Sequence, residues 1–274
     1  MPLVPVLFLL AIFPTLRARE ISEPGLELPT VYADNQEREY RFFPGGRINI
    51  STEVPGSLKI IGWNRGSVRM EAERKIFSPT EEKTRALLEK SPIRVRYTET
   101  ASTIQVTDLP ELKGLLEINL TVYIPAARTD LIAQMKKGDF TIETVNGWVE
   151  ATLEEGDMNI TAVDGYFSGK VSKGNISVNL SGNRWNGYGF TAVTQNGRID
   201  LLLPERYSAA LQLDTRNGEI TADYPPQEVE GELIPLEIIT RRNARQLVAG
   251  IGGGGAPVRL GTQSGDVSIR ATSK

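Results

Sequence analysis

The stretch from residue 138 to residue 182 reads GDFTIETVN from Gly138, GWVEATLEE from Gly147, GDMNITAVD from Gly156, GYFSGKVSK from Gly165 and GNISVNLSG from Gly174. Five glycines follow one another at nine-residue spacing. A fixed internal period decides fold class before any local feature does. The slots two, four and six places after each glycine hold Phe140, Ile142, Thr144; Val149, Ala151, Leu153; Met158, Ile160, Ala162; Phe167, Gly169, Val171; Ile176, Val178, Leu180. Thirteen of these fifteen are apolar, and thirteen of the fifteen slots between them are polar, with Trp148 and Tyr166 the exceptions. Alternation with period two marks a strand with one buried face. The three- and four-residue spacing of an amphipathic helix is absent.

Each unit is therefore a short strand with a tight turn at glycine. A meander of antiparallel neighbours fits this pattern. So does a β-solenoid, in which two units make one coil and each strand stacks on the strand 18 residues later. The 18-residue offset sets Phe140 beside Met158 and Ile176, Ile142 beside Ile160 and Val178, and Val149 beside Phe167. Like packs on like, as stacked repeats favour, so the solenoid is the expected arrangement.

A second motif, Thr-x-Asn/Ser-Gly-x-Val/Ile, occurs at Thr144–Val149, Thr194–Ile199, Thr215–Ile220 and Thr262–Val267. Asn-Gly and Ser-Gly suit tight turns because glycine tolerates positive φ. Gly197 and Gly218 are 21 residues apart, which predicts coils of 18 to 21 residues; about ten coils at the strand spacing of solenoids would make a rod of roughly 50 Å. Looser units open at Gly45 and Gly56, and further strands fit from Ile93, Thr103 and Leu116. Ser78-Pro79-Thr80-Glu81 is a capping box with proline at the first helical position, predicting a short inserted helix over Pro79–Lys90.

The chain has 274 residues, 40% of them hydrophobic, and a net charge of -3. That is core enough for a folded chain and far from a basic nucleic-acid binder. There is no Cys and no His, which excludes disulfides, thiol nucleophiles, imidazole bases and nearly every zinc site. Residues 1–18 carry an apolar run from Leu3 to Phe13, too short for a membrane helix of about 20 residues, ending at the small Ala18. This reads as an export signal without a positive n-region. The expected organisation is a leader over 1–18, an N-terminal β region with the inserted helix over 19–115, and the repeat region over 116–274, the last two continuous. Export places the mature chain in the periplasm, at the cell surface or outside the cell.

The Thr-x-Asn-Gly-x-Ile repeats, GSLKIIGWNRGSVRMEA from Gly56, VRLGTQSGDVSIR after the late glycine loop, and the YIPAARTDL and LLLPERYSAAL segments together resemble a bacterial family known as putative adhesin. The resemblance spans about Gly45 to Arg270. It implies an exported protein of β-solenoid type and carries over no catalytic residues.

Four aromatic residues stand out as candidate binding groups. Trp148 and Tyr166 fall 18 apart on the polar face, where exposed rings can stack on sugars or a partner. The same pair also serves as a structural cross-strand contact. Trp185 and Tyr188 lie in SGNRWNGYGF, an aromatic, glycine-rich insertion that reads as a contact loop or as a flap over the repeat. Asp139, Asp157 and Asn175 make a polar ladder, but the nine-residue calcium motif is not present, so no metal is expected. Gly250–Gly255 satisfies G-x-G-x-x-G yet precedes a strand, so it reads as a loop, and no cofactor is expected. Arg241, Arg242 and Arg245 form a small basic cluster.

The expected function is non-enzymatic: an envelope or surface module presenting ladders of side chains to a glycan or protein partner, with no nucleic acid and no membrane span. A polysaccharide-active β-helix enzyme and a self-assembling scaffold are the alternatives.

Overall fold

The structure is a computed structural model. It describes residues 17–19, 30–78, 84, 86–87, 89–90, 92–229 and 231–272, so the expected leader lies outside the described residues apart from its last two positions. The strands of the N-terminal part are β1 (Arg17–Arg19), β2 (Thr30–Arg41), β3 (Arg47–Thr52), β4 (Gly56–Trp63), β5 (Ser67–Ser78), β6 (Ile93–Tyr97), β7 (Ala101–Val106) and β8 (Leu116–Pro125). The middle supplies β9 (Ala127–Glu143), β10 (Asn146–Glu155), β11 (Met158–Thr161), β12 (Asp164–Lys173), β13 (Ile176–Asn179), β14 (Gly187–Asn196) and β15 (Ile199–Pro204). The C-terminal part adds β16 (Ala209–Asn217), β17 (Ile220–Asp223), β18 (Gln227–Val229), β19 (Glu232–Ile234), β20 (Ile238–Arg241), β21 (Ala244–Ile251), β22 (Pro257–Ser264) and β23 (Val267–Thr272). The protein is all-β. The one helical element with described bounds is a single 3-10 turn, Pro110–Leu112. Much of the helix expected over Pro79–Lys90 lies outside the described residues; of that span Thr84, Ala86 and Leu87 are helical.

The repeat strands pair in parallel at the expected offset. Phe140 registers with Met158 and Met158 with Ile176. Val149 registers with Phe167. The antiparallel meander is thereby overturned for this region. Long β9 turns a corner at Lys136–Gly138: its first half pairs with β10, its second half with β11. Two sheets result, facing each other across one core that runs from Tyr40 to Ile269. The front sheet has the order β6, β7, β3, β9, β10, β12, β14, β22, β16, β21, β20. The back sheet has the order β1, β2, β5, β8, β4, β9, β11, β13, β15, β23, β17.

Thirteen of the fifteen expected inward positions are buried, Gly169 among them. The exceptions have a local cause. Thr144 and Ala162 adopt φ of 58° and 51°, so the corner begins at these residues. The next residues, Val145 and Val163, turn inward in their place.

Among the described residues, eight layers stack in parallel, fewer than the ten expected, because several of the remaining strands pair antiparallel at the two ends. Their order in space is not their order in the chain. The pair β3–β4 sits between β7–β8 and β9, and the pair β22–β23 sits between β14–β15 and β16–β17. The 21-residue step from Gly197 to Gly218 is therefore not one coil. Gly265 lies between them: Gly197 N–H donates to Ser264 O and Gly265 N–H to Asn217 O.

Glycine is required along this corner. A Cβ on Gly156, Gly174, Gly197, Gly265 or Gly218 would come within about 2 Å of the carbonyl oxygen of the glycine one layer away. Thr194, Thr262 and Thr215 flank the same corner, buried, and donate their hydroxyls to Gly174 O (3.0 Å), Gly197 O (3.0 Å) and Gly265 O (2.8 Å). The fourth copy of the motif belongs to a different corner. Gly147 stacks with Gly165 and Gly187, and its Thr144 is exposed.

Candidate functional site

The outer face of the front sheet carries the aromatic row. Trp148 on β10 and Tyr166 on β12 are register partners, and their rings stack with centroids 3.9 Å apart at 23°. Trp148 is 46% exposed, and its indole N–H donates to Glu150 Oε1 at 2.9 Å. Because the rings stand face to face, each offers a ligand only its far face and its edge. The far face of Trp148 looks toward β9, where Asp130 is its partner. The far face of Tyr166 looks toward β14, where its partner is Gly189, which has no side chain.

Tyr188 stands beside that gap for a definable reason. Gly165 pairs with Gly187 but Tyr166 pairs with Gly189, so Tyr188 is the extra residue of a β-bulge. A bulge re-aims the residue it inserts. Tyr188 is 84% exposed, the most exposed large apolar side chain among the described residues. An equivalent irregularity at Asn146/Gly147 leaves Arg128 unpaired at the other flank, with φ of 58°.

Trp185 does not join the row. It is only 4% exposed, its ring sits edge-on to Phe190 at 5.3 Å, and its indole N–H donates to Gly165 O at 3.1 Å. The SGNRWNGYGF insertion thus uses Trp185 as an anchor from beneath and shows Tyr188 above. A surface role for the Trp185 ring is corrected accordingly. The neighbouring Asp164 carboxyl is held above its ordinary range by burial, opposed by hydrogen bonding to the Asn186 backbone and side chain.

The other candidates resolve into structure. In the polar ladder, Asp157 Oδ1 accepts from the Asn175 backbone N–H at 2.8 Å and from Asn175 Nδ2 at 3.1 Å, and Asn175 Oδ1 accepts from Arg198 N–H at 2.9 Å. Asp157 and Asn175 thus each tie their own layer to the next one. Among the described residues no three acidic side chains converge as a metal site would need. The Gly250–Gly255 loop carries the chain from β21 over the start of β16 into β22, and β16 lies between those two strands. A Cβ on Gly252 would come within 2.5 Å of Tyr207 O, so the close crossing requires glycine there. In the basic cluster, Arg245 donates to Gly218 O and pairs with Glu219, while Arg241 and Arg242 are exposed. A hollow of about 710 Å³ elsewhere is lined by Lys136, Lys137, Glu53 and Glu155, whose charges pair with one another.

No family model matches the chain, and no curated protein matches it. Among solved structures it is similar to a putative cell adhesion protein from Clostridium sporogenes, at 13% identity and a TM-score of 0.38, covering 87% of this chain and 100% of that one. It is similar also to a putative adhesin from Bacteroides fragilis, at 11% identity and a TM-score of 0.28, covering 87% and 97%. A third is a putative lipid binding protein from Parabacteroides distasonis, at 8% identity and a TM-score of 0.28, covering 88% and 95%. No helix among the described residues is long and apolar enough to cross a membrane.

Proposed function

We propose that the chain is an exported β-solenoid of adhesin type that works without catalysis, at the cell surface or in the envelope, by presenting the outer face of its front sheet to a glycan. The observation that carries this reading is the Trp148–Tyr166 stack with Tyr188 beside it. Trp148 and Tyr188 are exposed, so their rings add little to the core and are open to a partner. Rigid aromatic side chains with few rotatable bonds are economical contact groups, because little entropy is lost when they bind. The parallel layers supply the rigidity: Trp148 and Tyr166 sit on strands paired on both sides. A protein partner would use the same surface.

Co-sedimentation of the chain from Arg19 onward with purified envelope polysaccharide and with intact envelopes tests the proposal. Binding that a Trp148→Ala, Tyr166→Ala double variant loses, with its circular dichroism unchanged, is the expected result. Absence of binding to both materials overturns the glycan reading. Binding to envelopes alone, surviving polysaccharide removal, transfers the surface to a protein partner.

A further inference from the structure

The gap at Gly189 has walls, a floor and a charge. Tyr166 on β12 forms one wall, held upright by Trp148 behind it. Pro257 on β22 forms the other; its Cγ lies 3.0 Å from where a Gly189 Cβ would be. The strands carrying the walls stand two strand spacings apart, roughly 9–10 Å between backbones, and Pro257 leans in toward Gly189, so the slot is no wider than about the thickness of one ring. Tyr188, the exposed bulge residue, precedes Gly189 at one end. At the other end Thr191 follows on β14, with Ser168 and Arg259 as its register partners on either side.

Arg259 is exposed and makes no ion pair among the described residues. The carboxylate nearest to it in the sheet pattern is Asp214, diagonal to it on β16. Asp214 is already engaged by two amides, from Gln212 at 2.9 Å and Gln246 at 2.8 Å. An aromatic face, two hydroxyls and an unspent guanidinium at one short slot match a pyranose that carries a carboxylate. The apolar face of the sugar meets Tyr166, its hydroxyls meet Ser168 and Thr191, and Arg259 pairs with the carboxylate, which a guanidinium binds in forked geometry.

Resting on the glycan reading above, we propose that the slot between Tyr166 and Pro257 is a subsite for an acidic pyranose of a uronic or sialic type. The opposite flank of the stack is not equivalent, because Asp130 would repel the same charge there.

The test is titration calorimetry of the full chain with oligomers of galacturonate, glucuronate, mannuronate and sialate, each beside its carboxyl-reduced neutral form. At least one acidic series is expected to bind, roughly tenfold more tightly than its neutral form, the worth of one good charged hydrogen bond. Arg259→Gln should erase that preference without changing the melting temperature, and Tyr188→Ala should weaken both forms alike. Equal binding of acidic and neutral forms by the parent chain overturns the acidic subsite and leaves the glycan reading standing. So does failure of every oligomer while the Trp148-dependent co-sedimentation persists. Failure of both assays sinks the two together.

Discussion

Thr262 donates its hydroxyl to the carbonyl oxygen of Gly197, 65 residues earlier in the chain, at 3.0 Å. The bond exists because β22–β23, near the end of the described chain, is threaded between two layers formed long before it. The same hydroxyl-to-glycine bond recurs one layer below at Thr194 and one layer above at Thr215. Replacing Thr262 with Val keeps the shape and removes the donor. The expected loss is about 1–3 kcal/mol, the cost of leaving the part-buried Gly197 carbonyl without its donor. Urea unfolding of the single and the triple Thr→Val variants checks it, and a triple variant as stable as the parent would refute the ladder.

Gly265 and Gly253 separate two reasons for glycine. A Cβ on Gly265 would lie 2.1 Å from Gly197 O, whereas one on Gly253 would meet nothing within 4 Å, although φ there is 89°. Gly253→Ala should cost only the backbone term of about 1 kcal/mol. Gly265→Ala must push two layers apart and should cost several times that, on the order of 3 kcal/mol or more. Equal losses in a denaturant melt would show that contact across the layers is not what selects glycine.

Much of this was legible in advance, and the boundary is physical. The nine-residue period shows because each side chain of β9 to β13 packs on its like 18 residues on, so Phe140, Met158 and Ile176 must all be apolar. Threading of β22–β23 does not show, because TQNGRI, TQSGDV and TRNGEI suit the same corner equally well and nothing local says which layer is the middle one. In the candidate site, the Trp148–Tyr166 pair follows from the period alone. Trp185 and Tyr188 sit three residues apart in an aperiodic insertion, and only the pairing of Gly187 and Gly189 sends one inward and the other outward. The slot beside Tyr166 depends on a bulge and on Pro257, 68 residues away from Gly189, so no sequence window contains it.

Those two aromatics should part company on substitution. Tyr188→Ala removes an exposed ring and should leave stability within about 0.5 kcal/mol. Trp185→Ala empties a buried site and unpairs Gly165 O, at an expected cost of about 3–5 kcal/mol. Thermal melts of both distinguish them; a large loss for Tyr188→Ala would mean that its ring packs rather than waits for a ligand.

Asp164 gives the corner a pH dependence of defined sign. Burial raises its carboxyl above the ordinary 3.8. The folded chain thus holds that proton more tightly than the unfolded chain does. Its contribution to stability is full below the unfolded value and is lost as pH rises through the folded value. Asp164→Asn should remove this loss while still accepting a hydrogen bond from Asn186. The variant's stability relative to the parent should rise as pH climbs above the unfolded carboxyl's 3.8 and level off once the parent's carboxyl is ionised. A flat difference across that range would mean that the carboxyl is as well solvated as in the unfolded chain.

The threaded layer predicts how the chain holds together after cleavage. Strands β22 and β23 each pair on both sides, with β14 and β16 in front and β15 and β23's other neighbour β17 behind. Their inward side chains Val258, Leu260, Val267 and Ile269 are all buried. The covalent link through Gly252–Gly255 is thus one tie among many. A protease site inserted between Gly253 and Gly254, where a side chain would meet open space, should be cut in the native protein. The C-terminal fragment should nevertheless stay bound through size-exclusion chromatography and leave only in denaturant. Once released, the remaining chain has a missing layer between β14 and β16, two front strands that no longer pair with each other through it. It should lose its cooperative transition, and restoring the fragment should restore that transition. Release of the fragment under native conditions would show that the last layer is laid onto the stack rather than held within it.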